Sequence, residues 1–251
     1  MKIDLNADIG EGFGRWQIAD DDALMALISS ANIACGYHAG DHLIMDRMVR
    51  AAKNHQVSIG AHPGLPDLMG FGRRSMAVSA EDMEAMLAYQ IGALKGIAAR
   101  HGVRVEHVSY HAAFGTMANS DQELADRLAR VIAEIDPELV MLSMPGHPIE
   151  KAAQKAGLRV RNLFLADRAY QADGNLVPRG QPGAVIHTPD LMAERISYFL
   201  KYGGVMTQSG TPLKIESRSI LLHSDTPGSD ALARAIAAQI KDAGGVITRP
   251  E

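Results

Sequence analysis

The chain has 251 residues, 47% of them hydrophobic and 22% charged, with a formal net charge of -4. That length suits one large α/β unit. The balanced charge, with no basic run, argues against a nucleic-acid or membrane-surface partner. The lone Cys35 rules out an internal disulfide and points to a reducing, cytoplasmic setting; no apolar signal core or membrane-length stretch is visible.

From the N-terminus, apolar Ile3, Leu5, Ala7 and Ile9 alternate with polar Asp4, Asn6 and Asp8, and Gly10-Glu11-Gly12-Phe13-Gly14 follows. A period of two that runs into glycines predicts a strand ending in a tight loop. Unpaired carboxylates are costly on a buried face. A strand that delivers Asn6, Asp8 and Glu11 to its C-terminal end therefore builds a polar site.

A helix is expected over 20–29 and a buried strand over 32–35. Asp41 then opens a helix whose inner face is Ile44, Met45, Met48, Val49 and Ala52. A strand over 57–60 precedes Ser79-Ala80-Glu81-Asp82, which reads as a capping box for a helix carrying Met83, Leu87, Ile91, Leu94 and Ala98 and stopped by Gly102. A strand over 105–110 follows. Ser120 with Glu123 repeats the cap ahead of Leu124, Leu128, Val131 or Ile132, and Ile135. Strands over 139–143 and 160–165 flank a helix over 148–156. A helix over 189–202, a loop over 203–214, a strand over 215–223 and a helix over 229–243 complete the chain. About seven βα units with no linker predict one domain over 1–251, built on a parallel sheet or barrel.

In such folds the chemistry gathers at the carboxyl ends of the strands. Read in order, those ends carry Asn6, Asp8 and Glu11; Cys35 and His38; His62; His111; Asp167 and Arg168; His223 and Asp225. His38 and His62 lie on glycine-shaped loops, which suits general acid/base work or metal ligation. Asp8, His38 and His62 are a legitimate set for a divalent metal, yet no HxxxH or CxxC spacing exists, and a metal-free carboxylate–histidine site is favoured. Cys35 reads as a small apolar residue ending a strand rather than a nucleophile. His55 and His101, near helix C-termini, read as structural. Arg73 and Arg74 on one glycine-rich loop, and Arg179 on another, suit a carboxylate or phosphate. Gly10-x-Gly12-x-Gly14 lacks dinucleotide-binding spacing, and no Walker A motif is present.

Three segments carry a family resemblance: Asp4-Leu5-Asn6-Ala7-Asp8-Ile9-Gly10-Glu11, Ala31 through Asp41, and Gly60-Ala61-His62-Pro63-Gly64 with Gly70-Phe71-Gly72-Arg73-Arg74. Ala166 through Tyr170, Leu176-Val177-Pro178-Arg179 and His223 through Gly228 extend it over nearly the whole chain. These resemble the LamB/YcsF family. The resemblance implies a single-domain seven-stranded (β/α) barrel of the glycoside hydrolase/deacetylase kind. It implies ring opening of 5-oxoproline to glutamate coupled to ATP, with Mg2+ as its companion and separate B and C subunits. On that reading Asp8 or Glu11 activates water, and His38, His62 and His111 move protons. Arg73 or Arg179 holds the substrate carboxylate, with Asn6 and Asp225 as further substrate contacts.

The fourth strand departs from the family pattern His-Val-Lys-Pro-His-Gly-Ala-Leu-Tyr-Asn. Here it reads His107-Val108-Ser109-Tyr110-His111-Ala112-Ala113-Phe114-Gly115. Ser109 in place of lysine removes a cation from a strand end. Another lactam, cyclic ureide or amide therefore stays open as substrate, as does a non-catalytic ligand-binding role. Self-association of the chain is likewise left open.

Overall fold

The structure, a computed structural model, describes residues 1–250. Among the described residues there are ten strands and eight α-helices, largely in β–α alternation. The strands are β1 (Lys2–Ile9), β2 (Ser30–Ala34), β3 (Ser58–His62), β4 (Val105–Val108), β5 (Val140–Ser143), β6 (Arg159–Leu165), β7 (Gly204–Met206), β8 (Pro212–Lys214), β9 (Ser219–Leu222) and β10 (Val246–Ile247). The helices are α1 (Asp21–Met25), α2 (His42–His55), α3 (Ala80–Arg100), α4 (Ala112–Ser120), α5 (Gln122–Ile135), α6 (Pro148–Lys155), α7 (Pro189–Tyr202) and α8 (Ser229–Asp242).

Strands β1-β2-β3-β4-β5-β6-β9 are parallel neighbours, and β9 pairs back onto β1, so the sheet closes into a seven-stranded barrel. The α/β barrel expected from the sequence is present. Strand β10 adds to the outer end of β1 through Lys2↔Val246 and Ile3↔Ile247.

The alternation in β1 sorts its side chains as a period of two requires. Ile3, Leu5, Ala7 and Ile9 join the core that the helices cover. Asp4, Asn6 and Asp8 turn into the barrel and build a polar column. Ser29, Ser30 and Ser219 donate to Asp4; Asn6 exchanges amide hydrogen bonds with Asn32; and Asn32 Nδ2 donates to Asp8 at 2.9 Å. His107, fully buried, bonds Asn32 Oδ1 through Nε2 at 2.8 Å. Its ring fits only because residue 60 is glycine: a Cβ there would lie 2.0 Å from His107 Cδ2. The opposite inner wall is apolar, with Leu142, Leu163, Leu165 and Leu221 facing the cavity. One half of this interior is hydrogen-bonded and the other half packed.

Three local expectations need correction. Ser120 does not cap the fifth helix: it ends α4, and Asp121 caps α5 by accepting from the N–H groups of Glu123 and Leu124. Helix α4 itself escaped the sequence reading, because its first residue, Ala112, has a φ of 32° and begins the helix from a strained left-handed start. The run 215–223 is not one strand. Pro212–Lys214 pairs antiparallel with Gly204–Met206, which places a hairpin inside the expected loop and leaves Ser219–Leu222 for the barrel. The first helix is also shorter than 20–29, spanning Asp21–Met25.

Asp41 shows how a cap also shapes the mouth. Its carboxylate accepts from Leu43 N and Ile44 N at 2.8 and 2.9 Å, and from Gly14 N at 2.8 Å, which ties the loop after β1 to α2. Burial pulls this carboxyl up, but the Ile44, Gly14 and Leu43 N–H donors outweigh it and hold the group below its ordinary value. Asp41→Ala is expected to cost about 1–2 kcal/mol at neutral pH, read as a lowered urea midpoint. Because the folded-state value is depressed, the contribution is present above the unfolded value and lost as pH falls through the folded one. The two proteins should therefore converge in acid.

Candidate active site

At the C-terminal mouth of the barrel, Asp8, His62, His111 and His223 line one cleft of about 200 Å³, and Glu11 and His38 pack against these histidines and acid outside its lining. Asp8 comes from β1 and Glu11 from the loop beyond it. His38 follows β2, His62 ends β3 and His111 follows β4. All five are buried, none more than 3% exposed.

Glu11 is the hub. Its Oε1 lies 3.2 Å from His38 Nε2, 3.4 Å from His111 Nδ1 and 3.8 Å from His62 Nε2. Ser224 donates to its other oxygen at 3.1 Å. Backbone carbonyls fix two of the rings. Ser109 O lies 2.7 Å from His62 Nδ1, and Phe71 O lies 2.8 Å from His111 Nε2. His38 stacks on His111 with ring centroids 3.7 Å apart. Glycine is required beside it: a Cβ on residue 64 would lie 2.3 Å from His38 Nδ1. Burial drives His38 and His111 well below the ordinary histidine value, so both rings are neutral. Burial also raises the carboxyls of Asp8 and Glu11.

The four groups whose donor atoms all lie within 4.8 Å of one another are Glu11, His38, His62 and His111. The sequence favours a metal-free site and offers Asp8, His38 and His62 only as the set for a metal if one binds; the cluster shares His38 and His62 with that set and has Glu11 and His111 in place of Asp8. Asp8 stands beside the cluster, 3.5 Å from His62 Nε2.

A second polar centre stands next to Asp8, because β9 pairs with β1 through Ala7↔Leu222. His223, just past β9, holds Asp167 Oδ1 through Nδ1 at 2.8 Å, and Thr226 donates to Asp167 Oδ2 at 2.6 Å. Desolvation works against a charged His223, but the Asp167 charge and hydrogen bond, with the charge of Asp8, outweigh it and raise the imidazole above its ordinary value. Asp167 is depressed in turn: burial pushes it up, and His223 and Thr226 more than reverse this. The pair is an ion pair with His223 Nε2 left for the cleft. Both residues stand out in the sequence as strand-end groups; their partnership does not, since it joins positions 56 apart.

Arginines form the rim. Arg73, Arg168 and Arg179 line the cleft. Arg73 bonds Asp225 Oδ2 at 2.5 Å, and Arg179 lies 3.9 Å from Asp225 Oδ1. Asp225, expected as a substrate contact, pairs with Arg73 and lies near Arg179 in this structure. Arg74 turns away to pair with Asp67. Asn6 also lies outside the cleft lining, its amide taken up by Ser30 and Asn32 one layer below Asp8. Cys35 is buried, and burial pushes its thiol up to about 12, which leaves an inert side chain. His101 caps α3 and bonds Asp46 at 2.7 Å, away from the mouth.

The sequence profile of the LamB/YcsF family matches residues 3–251. The chain belongs to the LamB/YcsF family. Among relatives of this LamB/YcsF protein, a 5-oxoprolinase A subunit of Pectobacterium atrosepticum is 54% identical over 99% of this chain and 96% of that one. A 5-oxoprolinase A subunit of Bradyrhizobium diazoefficiens is also 54% identical, over 99% and 97%. The crystal structure of a lactam utilization protein from Thermus thermophilus superposes with a TM-score of 0.94 at 39% identity and covers all of both chains. Among the described residues of this LamB/YcsF protein, no helix is long and apolar enough to cross a membrane.

Proposed function

We propose that this chain is the A subunit of a 5-oxoprolinase and provides the site where 5-oxoproline is opened to glutamate, with ATP and Mg2+ and with separate B and C subunits, in the cytoplasm. The names of its relatives support the subunit role. The observation that carries the chemistry is a single small cleft faced by Asp8 and by the His223–Asp167 pair, under a rim of Arg73 and Arg179. Such a volume, below that of sites for drug-sized ligands, suits a compact metabolite.

In this reading Arg73 and Arg179 take the substrate carboxylate in place of Asp225. Asp8, its carboxyl raised by burial, accepts a proton from the attacking water. The water oxygen bonds to the lactam carbonyl carbon, the ring C–N bond breaks, and the departing nitrogen takes a proton from His223. A five-membered lactam is resonance-stabilised, and prior transfer of the ATP γ-phosphoryl group to its amide oxygen, with release of ADP, removes that stabilisation. C–N cleavage then leaves an acyl phosphate, which a second water hydrolyses to glutamate and phosphate. No Walker A motif occurs in the chain, so the nucleotide is assigned to the assembled complex rather than to this barrel alone.

The test is glutamate release from 5-oxoproline with ATP and magnesium, by this chain alone and with B and C subunits from its own genome. ATP-dependent glutamate from the mixture is the expected result. A folded complex that releases none overturns the substrate assignment. A second reading then takes over: Ser109 in the cleft wall, and the apolar face of Leu142, Leu163, Leu165 and Leu221, favour another lactam, cyclic ureide or amide. A panel of those compounds under the same assay decides between them.

A further inference from the structure

Two imidazole nitrogens in the cluster face each other with no hydrogen between them. A carbonyl oxygen only accepts, so His62 must donate through Nδ1 to Ser109 O, and His111 through Nε2 to Phe71 O. Lone pairs are then left on His62 Nε2 and His111 Nδ1, which lie 3.0 Å apart. Glu11 Oε1, a further acceptor, sits 3.8 and 3.4 Å from these two atoms and 3.2 Å from His38 Nε2. His38 Nδ1 is itself buried with no hydrogen-bond partner. Unpaired acceptors crowded in a dry site are costly.

A proton satisfies only one pair of these acceptors. A divalent cation satisfies all four donors together. Bonds of about 2.0–2.1 Å in a tetrahedron set neighbouring ligand atoms about 3.3 Å apart. Four of the six separations among these atoms are 3.0, 3.2, 3.4 and 3.8 Å, and no pair in the set exceeds 4.8 Å. The carbonyls of Ser109 and Phe71 supply the outer contacts that orient ligating histidines.

We propose that Glu11, His38, His62 and His111 form a divalent-metal centre, with three nitrogens and one carboxylate oxygen selecting a borderline ion of the zinc type. An ion bound there supplies a Lewis acid next to the cleft. Asp8 is not a ligand: Asn32 holds it beside the cluster, free to accept a proton. The centre rests on the hydrolase reading for its purpose, but its test reads metal content and not turnover.

Wild-type chain, stripped with chelator and dialysed, is titrated with Zn2+ and separately with Co2+, then desalted for elemental analysis and visible absorption. One equivalent of either metal, with the intense visible bands of four-coordinate Co2+, is the expected result. His62→Ala and Glu11→Gln should each weaken zinc binding by more than about 100-fold, beyond what loss of an outer contact costs. His101→Ala, a histidine remote from the cluster, should bind as wild type does. Thermal melts report whether each variant folds, and the near-isosteric Glu11→Gln covers the case in which His62→Ala does not. Folded wild-type protein that retains neither metal overturns the proposal, as does unchanged affinity in folded Glu11→Gln. Stoichiometric zinc in a complex that releases no glutamate leaves the centre standing and overturns the substrate assignment alone.

Discussion

Replacing Asp8 by Asn is expected to lower kcat of the assembled complex by about 10³-fold while changing KM little, the loss that removal of a positioned general base produces. The substitution keeps the shape of the side chain and keeps an oxygen for Asn32 Nδ2, which donates to Asp8 Oδ1 at 2.9 Å. Stability should therefore change little. Proton acceptance is lost, because an amide oxygen is a far weaker base than a carboxylate. Steady-state glutamate release with a parallel thermal melt checks both halves. Normal turnover by a folded Asp8→Asn complex would remove Asp8 from the chemistry and shift the role of base to another group facing the cleft. Full retention of partner binding alongside lost turnover would also set aside the non-catalytic role that the sequence left open.

The second large effect concerns the His223–Asp167 pair. Asp167→Asn removes the charge that helps raise His223, whose Nδ1 it holds at 2.8 Å. As the proposed proton donor to the lactam nitrogen, His223 works in its protonated form, so activity falls as pH rises through its pKa. Without Asp167 that value drops, and the alkaline limb of the pH profile of kcat/KM should move to lower pH. At neutral pH the loss should be about 10²-fold, recovering in part in mild acid. Linkage gives the same sign for stability. A histidine raised in the folded state contributes stability that is fully present below its unfolded value near 6.5 and is lost as pH rises through the folded one. Wild type and Asp167→Asn should accordingly differ most in melting temperature on the acid side of that window. A variant with an unshifted alkaline limb would show that His223 is not the titrating donor.

Much of this molecule is legible locally. The alternation of Ile3, Leu5, Ala7 and Ile9 with Asp4, Asn6 and Asp8 assigns β1 and its two faces, since successive side chains on a strand point to opposite sides. Asp41 and Ser79 announce α2 and α3 because a cap acts within three residues of itself. The errors are local conflicts decided elsewhere. Ser120 and Asp121 are both competent caps, and the end of α4 leaves only Asp121 for α5. Of the run 215–223 only Ser219–Leu222 joins the barrel, because it pairs with β1 and β6, while the neighbouring Pro212–Lys214 turns back on Gly204–Met206.

By itself, the sequence determined most of the barrel strands and their helices, the parallel architecture and the roster of strand-end groups from which a site is drawn; α4 and the β7–β8 hairpin were not among them. Only the tertiary structure decided which of those groups meet. Closure of β9 onto β1 brings Ser224 to Glu11 across 213 positions and sets His223 beside Asp8. It brings Glu11 and His111 into the histidine cluster, moves Asp8 to its flank, buries Asn6 a layer below and pairs Asp225 with Arg73. The reason is one of range. Periodicity and capping act over a few residues along the chain, whereas the identity of a site depends on distances of about 3 Å between strand ends that only barrel closure sets.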